Sequence, residues 1–183
     1  YCGVAMAHLE RLELTDAVSW AERGMELGGR LGAPAVVANA CAPLGTALAF
    51  SSVARGKEAL DRAWGISLGD KLGFQADLSR ASAARVVGVA LKDPKVGLDW
   101  VGRGPDYGTT YSLFDIPAHL VALHTLKGEF DEAGRILGEL QSRMRTLGQP
   151  TFGLWPDELA LLWLRTGEWD QAEAQLSDAL EWA

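Results

Sequence analysis

A six-residue block recurs near the end of the chain, and it limits the fold more than any other feature. Gly128-Glu-Phe-Asp-Glu-Ala133 and Gly167-Glu-Trp-Asp-Gln-Ala172 lie 39 residues apart, with four of six positions identical and a fifth exchanging one aromatic for another. A period of this length marks a stacked repeat, because one short unit cannot bury its apolar face alone. A second string recurs as Arg30-Leu-Gly-Ala-Pro34, Lys71-Leu-Gly-Phe-Gln75 and Thr146-Leu-Gly-Gln-Pro150. A small residue recurs at Ala17, Ala59, Gly97, Ala133 and Ala172, spaced 36–42 residues apart. That length holds two helices and two turns.

Periodicity supports helices throughout. Phe130, Ala133, Leu137, Leu140, Met144 and Leu147 step by three and four, which draws one apolar stripe on a 3.6-residue helix. Trp169, Ala172, Leu176 and Ala179 repeat the pattern. Acids precede bases by four residues at Glu26–Arg30, Glu58–Arg62, Asp131–Arg135 and Glu139–Arg143, an order that suits exposed helix faces. Leu-Gly at 31–32, 72–73 and 147–148 reads as a helix end with glycine at the C-cap. The predicted helices run over 3–12, 15–31, 34–51, 55–72, 75–91, 94–103, 111–127, 130–147, 152–166 and 169–182, with no convincing strand.

Composition narrows the function. Apolar residues make up 48% of the 183, enough for a sizeable core. The net charge of −7 argues against a broad basic face, so no direct nucleic-acid contact is expected. Residues 31–54 carry no charge, but they are rich in Ala and Gly and include Pro34 and Pro43. A helix buried on most sides accounts for them better than a membrane span, and no membrane association is expected. Cys2 and Cys41 make no disulfide framework and read as small buried hydrophobes. The opening residues have no signal-peptide pattern, so a cytoplasmic location is expected.

No catalytic constellation emerges. The chain has no phosphate loop, no His-Glu-x-x-His and no Gly-x-Ser-x-Gly. His119 and His124, five apart, diverge on a helix and suit one metal poorly. No cofactor or metal is expected. Trp64, Trp163 and Trp169 fall at helical spacings that suit core packing rather than a stacking platform. Residues 102–110 are dense in Gly and Pro and predict a long loop, either a ligand hinge or, more simply, a repeat insertion.

These residues resemble the tetratricopeptide family of helical repeats, most clearly in the last two units. Gly128 with Phe130 and Gly167 with Trp169 match that family's turn, Phe50, Trp163, His8 and His124 its aromatic slot, and the alanine series its small slot. The longer unit and the Leu-Gly-x-Pro ending are similar to repeats following ATPase modules in LuxR/MalT-type bacterial regulators. The typical Asn-Pro ending is missing. The resemblance implies an all-α superhelix, or solenoid, of about five helix-turn-helix repeats. Their units are roughly 1–32, 33–73, 74–110, 111–148 and 149–183, in one domain cut from a longer protein.

It also implies a non-catalytic interaction or regulatory module. The expected partner is a protein or peptide, or a small effector in the concave groove. Two alternatives are a self-associating scaffold, since oligomers are compatible with the pattern, and an α-helical enzyme. In this architecture the first helix of each unit lines the concave face. That face would carry Ser79, Ser82, Asp115, Asp157 and Arg165 beside Leu44, Leu48 and Leu161. It lacks the Lys/Asn cluster that clamps chaperone tails.

Overall fold

The computed structural model of the chain describes residues 1–147 and 156–182; in the second stretch it gives the side chains of 159–174, 176 and 177. Ten α-helices and two π-helical stretches make up the regular structure of these residues, with no strand among them. The chain is therefore all-α, as its periodicity predicts. The helices are α1 (Cys2–Glu10), α2 (Leu14–Arg30), α3 (Pro34–Ala49), α4 (Val53–Gly69), α5 (Gly73–Ala83), α6 (Pro94–Val101), α7 (Ile116–Lys127), α8 (Phe130–Thr146), α9 (Pro156–Thr166) and α10 (Trp169–Trp182). The π-helical stretches, Ala84–Ala90 and Tyr111–Asp115, prolong α5 at its end and α7 at its start. The predicted helix over 75–91 thus keeps α geometry only to Ala83.

Each helix packs on the next in the chain. Odd-numbered helices also pack on the next odd-numbered one: α1 on α3, α3 on α5, α5 and its π-helical stretch on α7, and α7 on α9. Short turns enforce the antiparallel pairs. Six of these turns place a residue in the left-handed region two positions before a helix begins: Leu12 before α2, Gly32 before α3, Lys71 before α5, Lys92 before α6, Gly128 before α8 and Gly167 before α10. Five turns also share one backbone bond spanning five residues: Glu13 N donates to His8 O, Ala33 N to Gly28 O, Leu72 N to Ser67 O, Glu129 N to His124 O, and Glu168 N to Trp163 O.

This shared geometry corrects the small-residue series. Ala17, Gly97, Ala133 and Ala172 are each the fourth residue of their helix, and all four are buried. In α4 the fourth residue is Gly56, not Ala59. A Cβ on Gly56 would come within 2.6 Å of both Gly45 O and Ala49 Cβ, so only glycine lets α3 and α4 approach there. Ala59 lies one turn later and packs with Ala5, Ala21 and Leu44. Gly97 meets Gly88 in the same way: a Cβ on Gly97 would lie 2.7 Å from Gly88 Cα and 2.6 Å from Leu123 Cδ2.

The Leu-Gly endings are equally uneven. Gly32 follows α2 with φ +60°, as a glycine past a helix end should. After α4, however, Lys71 takes the left-handed conformation and Gly73 opens α5. Gly148 lies outside the described residues. The charge ladder is also rewired. Arg135 pairs with Glu132 and Glu139 rather than Asp131, while Arg143 donates to Leu113 O at 2.7 Å.

Ala and Gly of the uncharged stretch let α3 sit inside the packing, with ten of its sixteen residues buried. No helix among the described residues is long and apolar enough to cross a membrane. The two cysteines differ. Cys41 is fully buried and Cys2 only half-buried. Burial pushes the Cys41 thiol up to about 11. Thiolate is the reactive form, so near neutral pH Ellman's reagent should label Cys2 well before Cys41. Equal labelling rates in the folded chain would mean that α3 opens readily.

Candidate functional site

The odd-numbered helices build a groove at the N-terminal end. Its wall comes from Met6 and Leu9 of α1 and Leu12 in the turn, from Thr46 and Phe50 at the end of α3, and from Val86 and Val89 of the π-helical stretch after α5. It encloses about 340 Å³, within the size of sites that hold a small molecule or a few side chains. Glu10 and Arg85 supply its charged groups. Leu12 is 70% exposed and Phe50 45% exposed. Exposed aromatic and aliphatic groups beside a concavity are what a partner's apolar side chain can cover.

Local sequence explains the groove's shape. Phe50 does not occupy the aromatic slot expected for it. Counting five back from the residue before each even-numbered helix gives His8, Ala47, Gly88, His124 and Trp163. Phe50 instead lies just past the last turn of α3 and faces outward. Gly88 fills the third slot, and its missing side chain lets α6 press against the π-helical stretch. A π-helical turn widens the helix, and such turns are frequent at functional positions.

The five residues predicted for the concave face scatter. Ser79 is a correction: it is fully buried in α5, and its hydroxyl donates to Gln75 O at 2.8 Å. It meets the core, because the stretch 76–81 of α5 is buried throughout. Ser82 is half-buried on α5, and Asp115 is half-buried at the end of the second π-helical stretch. Arg165 is exposed on α9. Asp157 falls in the first turn of α9, and its side chain lies outside the described residues. Leu44 is buried, and Leu48 is half-buried. Trp64 and Trp163 pack against core clusters, but Trp169 is 66% exposed, because it opens α10 at the turn, before the buried Ala172.

Sequence reasoning missed a buried polar network beneath the 102–110 loop. Asp77 is fully buried, and Arg80 is 6% exposed. Arg80 Nη1 donates to Asp77 Oδ1 at 3.1 Å and to Pro105 O at 2.7 Å. Thr109 Oγ1 donates to Asp77 Oδ2 at 2.7 Å. Asp106 accepts from Gly108 N at 2.8 Å. That bond, more than any other, holds its carboxyl below the usual range; a hydrogen bond from Ser112 adds to it. Arg103 stacks 3.5 Å over Trp100 and bonds Asp61 at 2.8 Å. Gly104, at φ +71°, seats the loop against Trp64, where a Cβ would come within 2.8 Å of the indole. The loop is pinned at both ends to α4 and α5, as a strut rather than a hinge. Asp77 and Arg80 are three apart on one helix, a spacing shared with countless solvated pairs. Here the loop bonds both members of a pair that lies in a fully buried stretch of α5.

No protein-family model, no curated protein and no solved structure matches the chain.

Proposed function

We propose that the chain is an α-α solenoid of about five tetratricopeptide-like units, and that its odd-numbered helices bind a segment of a protein partner. In this reading it is a non-catalytic sensor or scaffold portion of a larger bacterial regulator, resembling the repeats of LuxR/MalT-type proteins. The observation that carries it is the apolar groove of about 340 Å³ shared by α1, α3 and the stretch following α5. Three successive odd-numbered helices converge there. The stacking of odd on odd helices supports the solenoid reading, since a flat or bundled arrangement does not repeat that contact from unit to unit.

A displayed peptide library selected on the immobilised chain tests the proposal. Peptides enriched on the wild type should lose binding at least tenfold to a Phe50→Glu, Val89→Glu double variant of unchanged helicity. Such a loss corresponds to about 1.4 kcal/mol or more. Enriched peptides that bind both forms equally, or a library that yields no enriched sequence, would remove the groove as the binding face.

A further inference from the structure

The turn between α1 and α2 gathers a separate set of ligand-type side chains. His8 Nδ1 lies 2.5 Å from Glu13 Oε2, and one ligand atom from each of His8, Glu13 and Asp16 falls within 4.8 Å of the others. His8 sits in the last turn of α1, Glu13 just before α2, and Asp16 in the first turn of α2. Leu12, held at φ 59°, brings the two helix ends together.

The chain contains its own comparison. His124, Glu129 and Glu132 repeat the same spacing at the turn between α7 and α8, and His124 Nδ1 lies 2.7 Å from Glu129 Oε2. There both carboxylates are already neutralised. Lys127 reaches Glu129 at 2.6 Å, and Arg135 reaches Glu132 at 2.6 Å. In the first unit the position matching Arg135 holds Ser19. Arg11 matches Lys127, yet among the described residues neither Glu13 nor Asp16 pairs with a lysine or arginine. Two acids and an imidazole therefore converge without the cations that satisfy the same arrangement three units on.

We propose that His8, Glu13 and Asp16 form a binding site for a divalent transition ion of the zinc class, with solvent completing the coordination. Imidazole with carboxylates suits zinc, cobalt and nickel better than magnesium or calcium, which prefer oxygen alone. Metal–ligand bonds of roughly 2.0–2.2 Å require rotamer adjustment of the exposed Glu13 and Asp16 toward the half-buried His8. The ion takes the Nδ1 lone pair, and a proton on that nitrogen, where present, passes to solvent. Imidazole binds a metal only in its neutral form, so metal affinity falls in acid.

The test is titration calorimetry of the untagged chain with zinc chloride, at a pH above the histidine range. The expected result is one equivalent bound with micromolar affinity. His8→Gln and Asp16→Asn should each weaken it at least tenfold, while His124→Gln leaves it unchanged. Cys2→Ser, titrated in parallel, should bind like the wild type. Helicity of each variant is measured by circular dichroism. If His8→Gln fails to fold, zinc-induced shifts of the wild-type His8 imidazole resonances, with those of His124 unmoved, carry the same decision. Absence of saturable binding, equal binding by His8→Gln, or loss of binding in Cys2→Ser overturns the site.

Discussion

Replacing Asp77 by alanine should lower the unfolding free energy by about 3–5 kcal/mol, the range seen when one partner of a buried ion pair is removed. The carboxylate is fully buried and accepts from Arg80 and Thr109. Without it, the Arg80 guanidinium stays in a site 6% exposed, held only by Pro105 O, and its Nε has no partner among the described residues even in the wild type. Some compensation comes from Asp106, whose carboxyl feels Arg80. Removing both charges, as Asp77→Leu with Arg80→Met, should recover most of the loss, since apolar replacements for a buried pair are often neutral. Urea melts of the single and double variants measure this. Trypsin should also cut after Arg103 faster in Asp77→Ala, because Thr109 loses its anchor and the loop is left with the Arg80–Pro105 bond alone on α5. Equal destabilisation of the single and double variants would mean that the pair does not act as a unit.

The next largest effect is overpacking where paired helices cross. Ala133→Leu should cost roughly 1–3 kcal/mol. Ala133 is fully buried beside Val121, Ile136 and Leu137, and a larger side chain must push α7 from α8. At Gly56 the smallest change suffices. A Cβ there stands 2.6 Å from a backbone oxygen of α3, which cannot rotate away as a side-chain tip can. Gly56→Ala should therefore reach the same 1–3 kcal/mol. Gly65 lies in the same helix with nothing within 4 Å, so Gly65→Ala should instead add roughly 0.5–1 kcal/mol. Opposite signs from two identical substitutions separate packing from helix propensity. Stacked units couple mainly to their neighbours, so the Ala133 variant should also broaden the urea transition rather than only shift it. An unchanged midpoint for Ala133→Leu would mean that the assignment of paired helices is wrong.

The groove was legible only in part. Its helices follow from the period, but the residues on its wall do not. Ser79 and Phe50 exchange their expected roles, one going to the core and the other to the surface. A 3.6-residue period gives a stripe but not the rotation of a helix against its neighbours, and α5 is buried over most of its circumference. Its apolar stripe therefore carries little information about which side faces the groove. The His8 and His124 turns show the same limit. Their sequence spacing is identical, and only the surrounding cations tell them apart.

By itself the sequence determined that this chain is helical, where most helices begin and end, and that small residues sit near the start of α2, α6, α8 and α10. These are local matters: steps of three and four place apolar groups on one side, and glycine supplies the left-handed turn at 32, 128 and 167. The tertiary structure decided what depends on a second element. It chose Gly56 over Ala59, because the oxygen of Gly45 leaves no room for a Cβ. It widened the helix at Ala84–Ala90, where Gly88 and Gly97 let α6 press close. It made an ordinary Asp77–Arg80 spacing, in a buried stretch of α5, into a clamp, because the loop at 102–110 folds back and bonds both members. Each outcome turns on a distance between atoms of different elements, and no periodicity within one segment contains that distance.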